Sequence, residues 1–352
     1  MTVNEPHDTA TAATPTARTA PAARIPAEFA GTFLICFAIY AIGSFGTAIL
    51  GLNMAFFAVA TAVVYTAVTA MLDRVCAGHF NPAVTIAAML TSRIGIPEGI
   101  ASIIAQVAGA ALAGGVLTRL LPTSDSVTLK TWITPAVNGF DDGSAIYAYY
   151  LSNVDGISFG IVAAIVVETI AAAVIVGMFM SSTTIDGRPT ARYAAAMGAA
   201  YGLGAAVCYP VTNAALNPAR ATGIALFAQG KDLNVEPLSQ LWVFWVCPVL
   251  AAAVVALVMI VAQMAADTAR ARRDARIAAM TAGIDAEGSD ETGVVLSDTV
   301  DGAAGYADAS TVGTAEASVE GSASNGSAHE DAQVGGEQSQ SQSDADDGVE
   351  RD

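Results

Sequence analysis

An all-α membrane protein is the fold class this sequence predicts: six spanning helices and two half-length re-entrant helices, built as an inverted internal repeat. Three observations carry that prediction. The 352-residue chain is 54% hydrophobic and only 13% charged, with mean hydropathy +0.53, where a soluble globular protein has roughly a quarter charged residues. Six apolar stretches reach the roughly 20 residues that a helix needs to cross about 30 Å of hydrocarbon. Two further apolar pieces are about half that length, and each begins with Asn-Pro-Ala.

Residues 1–24 are rich in Ala, Thr and Pro without apolar periodicity and read as a disordered tail. The first apolar run starts too late and runs too long for the core of a cleaved signal peptide. The spans follow at Ala27–Ala48, Phe56–Val75, Ile96–Leu120, Ile157–Ser181, Ala191–Tyr209 and Leu241–Gln263. Between them lie the short pieces Asn81–Leu90 and Asn217–Phe227, too short to cross and therefore re-entrant. The channel domain is residues 25–265, with repeats at 25–120 and 157–263 joined by a long loop at 121–156.

Residues 266–352 are expected to form a second disordered tail, first basic (Arg270, Arg272, Arg273, Arg276), then acidic and rich in Ser, Gly and Ala. From Thr281 onward 17 acidic residues face the single basic Arg351, so nearly all of the net charge of −17 belongs to the tail. Nothing in this pattern suggests a nucleic-acid partner. The basic run either meets anionic lipid head groups or serves only as a topology signal. The four cysteines lie in or beside apolar segments and read as free, buried thiols, and neither a metal nor a cofactor is expected.

Basic residues set the topology. With both termini on one side, that side collects Arg18, Arg24, Arg74, Arg93, Arg188, Arg192 and the four tail arginines, against Arg119, Lys130 and Lys231 opposite. The positive-inside bias places both termini in the cytoplasm and the 121–156 loop outside.

Each half reads as a span holding a glutamate (Glu28, Glu168), a second span, an Asn-Pro-Ala half-helix and a third span. Three spans per half force the second half to enter the membrane inverted, which brings broken helices together near the midplane. Pro82 and Pro218 suit the first helical turn, and Asn81 and Asn217 the cap before it, with Ala83 and Ala219 next. Two N-termini, each worth about half a positive charge, repel cations and donate hydrogen bonds to a neutral oxygen. Buried carboxyls are expensive unless bonded, so Glu28 and Glu168 are expected to accept from re-entrant backbone. Small-residue stripes (Ala194, Gly198, Gly202, Ala206; Ala105, Gly109, Ala113) let helices approach closely.

These residues resemble the major intrinsic protein family, the aquaporins and glycerol facilitators. The resemblance is carried by Ala-Glu-Phe-Ala-Gly-Thr-Phe (27–33), Gly-His-Phe-Asn-Pro-Ala-Val-Thr (78–85), Val-Thr-Asn-Ala-Ala-Leu-Asn-Pro-Ala-Arg (211–220) and Leu-Trp-Val-Phe-Trp-Val-Cys-Pro (241–248). It implies an aquaporin-like right-handed bundle, a homotetramer with one pore per protomer, and a passive channel in the cell membrane with no enzymatic activity. Ala221 where facilitators carry Asp, together with Ala225 and Phe244-Trp245, resembles the water-channel subgroup.

The family's narrowest ring, counted without gaps from the motifs, falls on Thr61, Ala205, Ala214 and Arg220. Strict water channels place an aromatic and a histidine at the first two. Small residues here imply a wider opening that passes water and neutral solutes such as glycerol. A slip of one turn in the second span would substitute Phe57 or Tyr65. Arg220, charged inside the membrane, is functional by default. His79 either lines the cytoplasmic mouth, as the family implies, or is a satisfied structural residue. A polyol facilitator and a non-conducting scaffold using its acidic tail are the alternatives. A membrane enzyme would need convergent nucleophiles or ligands that the spans do not supply.

Overall fold

The computed structural model describes residues 21–46, 53–144, 147 and 158–287. The chain divides into two compact units, Met1–Ala282 and Gly283–Asp352. Every element around the half-helices belongs to the first.

The first helix, α1 (Pro21–Ala41), continues as a π-helical segment, Ile42–Gly46. It begins inside the segment expected to be a tail. Arg24 pairs with Glu98 at 2.6 Å and ties that first turn down, while Pro26 removes only one backbone bond near the helix end. The second span, α2 (Met54–Leu72), starts at Asn53, whose side chain accepts from the Phe56 N–H. The half-helix α3 (Pro82–Leu90) is followed by α4 (Ile96–Leu120), with Pro97 in its first turn.

The connection between repeats is more structured than a plain loop. It holds a short helix, α5 (Leu129–Ile133), and a 3-10 turn at Asp141–Gly143. Gln240 clasps it by accepting from the Phe140 N–H and donating to the Phe140 carbonyl, both at 2.9 Å. Trp132 is buried and Tyr147 half-buried, while Tyr149 and Tyr150 lie outside the described residues.

The second repeat runs through α6 (Ile161–Ser182), α7 (Tyr193–Thr212), the half-helix α8 (Pro218–Ala228) and α9 (Pro237–Glu287). Among the described residues, six helices are long and apolar enough to cross a membrane. The half-helices have 9 and 11 residues, so at 1.5 Å per residue each covers roughly half the hydrocarbon. No strand occurs among the described residues. The last helix carries on well past Gln263, because Ala, Arg and Met continue a strongly helix-forming composition after the apolar run ends. Residues 1–20 and 288–352, the bulk of both expected tails, lie outside the described residues.

One contact between the repeats matters most for the site. Helices α2 and α7 lie antiparallel and very close, because α7 turns glycines toward its partner. A Cβ on Gly198 would strike Thr66 and the Ala62 carbonyl, and one on Gly202 would meet the Ala62 side chain at 2.7 Å. The four cysteines are free and buried in the surrounding apolar packing.

Candidate functional site

Both re-entrant turns solve the same local problem. The residue before each motif asparagine must reverse the chain, and both adopt left-handed backbone: Phe80 at φ 48° and Leu216 at φ 56°. Non-glycine residues there are strained, and the surroundings must hold them. Glu28 does so from α1, its two carboxyl oxygens accepting the N–H groups of His79 (2.9 Å) and Phe80 (2.7 Å). From α6, Glu168 accepts those of Ala215 (3.0 Å) and Leu216 (2.8 Å). Gln106 of α4 also donates to Glu28, and Thr212 to Glu168.

The carboxyls thus place the two asparagines. Each is an N-cap whose Oδ1 accepts from its own helix: Asn81 from the Ala83 N–H, Asn217 from the N–H groups of Ala219 and Arg220. Pro82 and Pro218 occupy the first turn, where the missing donor costs nothing. Each Nδ2 then crosses to the opposite repeat. Asn81 donates to the Leu216 carbonyl (3.0 Å) and Asn217 to the Phe80 carbonyl (2.7 Å). The two half-helix N-termini therefore meet at one point, fully buried.

Arg220 lies on the first turn of α8, 2% exposed. Its Nη1 donates to the Ala214 carbonyl (2.7 Å) and to Asn138 Oδ1 (2.8 Å), and Nη2 to the Asn213 carbonyl (3.4 Å). Its Nε is buried without a partner. Asn138, from the inter-repeat connection, also donates to the carbonyls of Thr212 and Asn213. Asn213 in turn donates to those of Pro135 and Val137. The connection is thereby stitched to the turn that carries the arginine.

Thr61 and Ala205 occupy the same level of the facing stripes on α2 and α7, both buried, and Ala214 is joined to Arg220 by the bond above. That level is bracketed by aromatic layers. One turn to one side, Phe57 packs on Tyr209 with ring centroids 4.7 Å apart. One turn to the other, Tyr65 and Tyr201 stack at 3.4 Å. Phe57 and Tyr65 therefore both share the face of Thr61, on either side of it.

His79 bonds Thr85 Oγ1 through Nδ1 (3.2 Å) and sits edge-on to Phe179, close to Tyr193, which donates to the Gly78 carbonyl. Sequence reasoning missed Asn138, Gln240 and Tyr201, and reached Tyr65 only as what a one-turn slip would bring to the ring. Only the tyrosines leave a sequence signal, each standing sixteen residues before its repeat's motif asparagine.

Comparison with known proteins agrees with this geometry. The family described as "Major intrinsic protein" matches residues 17–259. The chain is 32% identical over 242 residues to Aquaporin Z of Brucella melitensis biotype 1, covering 67% of this chain and 95% of that one. It is 32% identical over 230 residues to Aquaporin Z of Photorhabdus laumondii, covering 64% and 91%. Among solved structures it shares its fold with the aquaglyceroporin from Plasmodium falciparum, at TM-score 0.50 and 17% identity, covering 68% of this chain and 95% of that one.

Proposed function

Because the chain belongs to the major intrinsic protein family of membrane channels, we propose that it conducts water together with small neutral solutes such as glycerol, and excludes protons and ions. The observation that supports this best is the reciprocal crossing of Asn81 and Asn217. It puts two helix N-termini and two amide donors at one buried point. A cation there meets two positive ends, whereas a neutral oxygen can replace an acceptor the amides already hold. Donors from opposite sides orient a passing water so that its hydrogens point outward both ways, which interrupts a proton wire. This is the logic already described for aquaporin-type pores.

Arg220 adds a second barrier. Its guanidinium is fixed by three oxygens, and its Nε is a buried donor without a partner. Around it Thr61, Ala205 and Ala214 are small, so this level is roomy and offers one hydroxyl, as a polyol requires. His79 stands at the cytoplasmic mouth in this reading, both termini are cytoplasmic, and the protein is a homotetramer in the cell membrane with one pore per subunit.

Stopped-flow light scattering on proteoliposomes tests the solute range. Wild type takes up glycerol as well as water. Thr61→Phe lowers glycerol uptake by about tenfold, equivalent to ~1.4 kcal/mol, while water stays within about twofold. A wild type that passes water and excludes glycerol removes the roomy-ring reading.

A further inference from the structure

One turn from the Thr61–Ala205 level, the facing stripes of α2 and α7 bring two aromatic rings together. Tyr65 and Tyr201 face each other from α2 and α7 with ring centroids 3.4 Å apart and planes within 5°. Carbon atoms in contact sit about 3.5–4.0 Å apart, so nothing passes between these rings. Both side chains are fully buried. Their hydroxyls go to the motif asparagines in a crossed pattern: Asn81 Nδ2 donates to Tyr201 (2.9 Å) and Asn217 Nδ2 to Tyr65 (3.2 Å).

An asparagine amide has two N–H donors. In each motif asparagine one goes to the opposite repeat's carbonyl and the other to a tyrosine. None is left for a permeant. The phenol oxygens stand where the oxygen of a passing molecule would have to stand, so a solute advances only by replacing them.

We propose that Tyr65 and Tyr201 are the specificity-determining residues of the pore, closing it at the level of the motif asparagines and yielding only to a solute whose oxygen replaces a phenol oxygen on the amides. The proposal rests on the channel reading above and adds where selection takes place. Two features make the closure one that parts. Face-to-face stacking is not the preferred arrangement of aromatic rings, which favour offset or edge-on contact. The exchange of a phenol oxygen for a water oxygen also leaves the number of hydrogen bonds to each amide unchanged. Water satisfies that exchange, and so does a polyol hydroxyl. A solute without an acceptor oxygen does not, whatever its width. The Thr61–Ala205 level, with its small side chains, then precedes the selecting step.

The test compares wild type, Tyr65→Val/Tyr201→Val and Tyr65→Phe/Tyr201→Phe in proteoliposomes, with stopped-flow water and glycerol gradients. The valine pair removes the rings, and both rates rise by about fivefold or more. The phenylalanine pair keeps the rings and frees the amide donors, and water rises by about twofold, with glycerol following less. Valine-pair rates equal to wild type in both gradients overturn the proposal while a conducting wild type leaves the channel reading standing. A silent wild type with a conducting valine pair overturns the yielding of the closure to water and polyols, and with it a conducting wild type. Silence in all three, with correctly assembled protein, overturns both. Should the valine pair not assemble, an unchanged water rate in the phenylalanine pair overturns the closure.

Discussion

The two re-entrant turns are alike in how they are held and unlike in what they present. In both, a glutamate from the repeat's first span takes the two N–H groups just ahead of the motif asparagine, and the residue before that asparagine is left-handed. In both, the asparagine caps its own helix and crosses to the other. After the alanine the repeats part. The first continues with Val84, fully buried and apolar, and the second with Arg220. The second also has Asn138 and Asn213 binding it to the inter-repeat connection, whereas the first has His79, Thr85 and Gln106 bonded among themselves. What the repeats share makes the half-helices possible, and what they do not share is where one end of the pore comes to differ from the other.

The shared part gives the largest effects. Glu28→Ala orphans the N–H groups of His79 and Phe80, while Gln106 keeps Thr85. Glu168→Ala orphans those of Ala215 and Leu216, while Thr212 keeps the Cys208 carbonyl. A buried donor left unpaired costs about 1–3 kcal/mol, so each variant loses about 2–6 kcal/mol. Thermal unfolding in detergent reads both, and the losses come out similar. A large loss in one and almost none in the other breaks the claim that the two carboxyls are equivalent supports.

Much of that shared part was legible in the sequence, for physical reasons. Apolar runs of about ten residues cannot cross a bilayer, proline fits a first turn, asparagine fits a cap, and a lone buried carboxyl needs donors. The Tyr65–Tyr201 pairing was not: Tyr65 entered only through a one-turn slip, and Tyr201, on a helical stripe, reads as core until the partner helix is in place. Its hydroxyl's destination depends on a contact between repeats. Asn138 was hidden in a connection with no periodicity. The extent of α9 was misjudged because loss of hydrophobicity marks the end of a span, not the end of a helix. Ala265 and its neighbours leave the apolar run but keep their helical propensity.

The unshared part gives effects of middle size. Arg220→Val makes the second motif read like the first, with an apolar residue after the alanine. It removes the fixed positive charge and keeps the crossed asparagines. Proton leak, followed with a pH-sensitive dye inside proteoliposomes under a pH gradient, rises by about tenfold, with water flux within about twofold of wild type. Unchanged proton leak would mean that the meeting helix ends suffice, and that the difference between the repeats serves another purpose.

Asn138→Ala gives the smallest effect and sharpens the comparison furthest. Arg220 keeps its bonds to the Ala214 and Asn213 carbonyls, so its charge stays in place. What is lost is the side chain that accepts from the guanidinium and donates to the carbonyls of Thr212 and Asn213. A net loss of about 1–2 kcal/mol follows, read as a lower unfolding temperature in detergent, with water permeability and proton exclusion both close to wild type. If proton leak instead rises as far as in Arg220→Val, then position matters as much as charge. The second repeat would then owe its selectivity to the connection that grips it and not to the arginine alone.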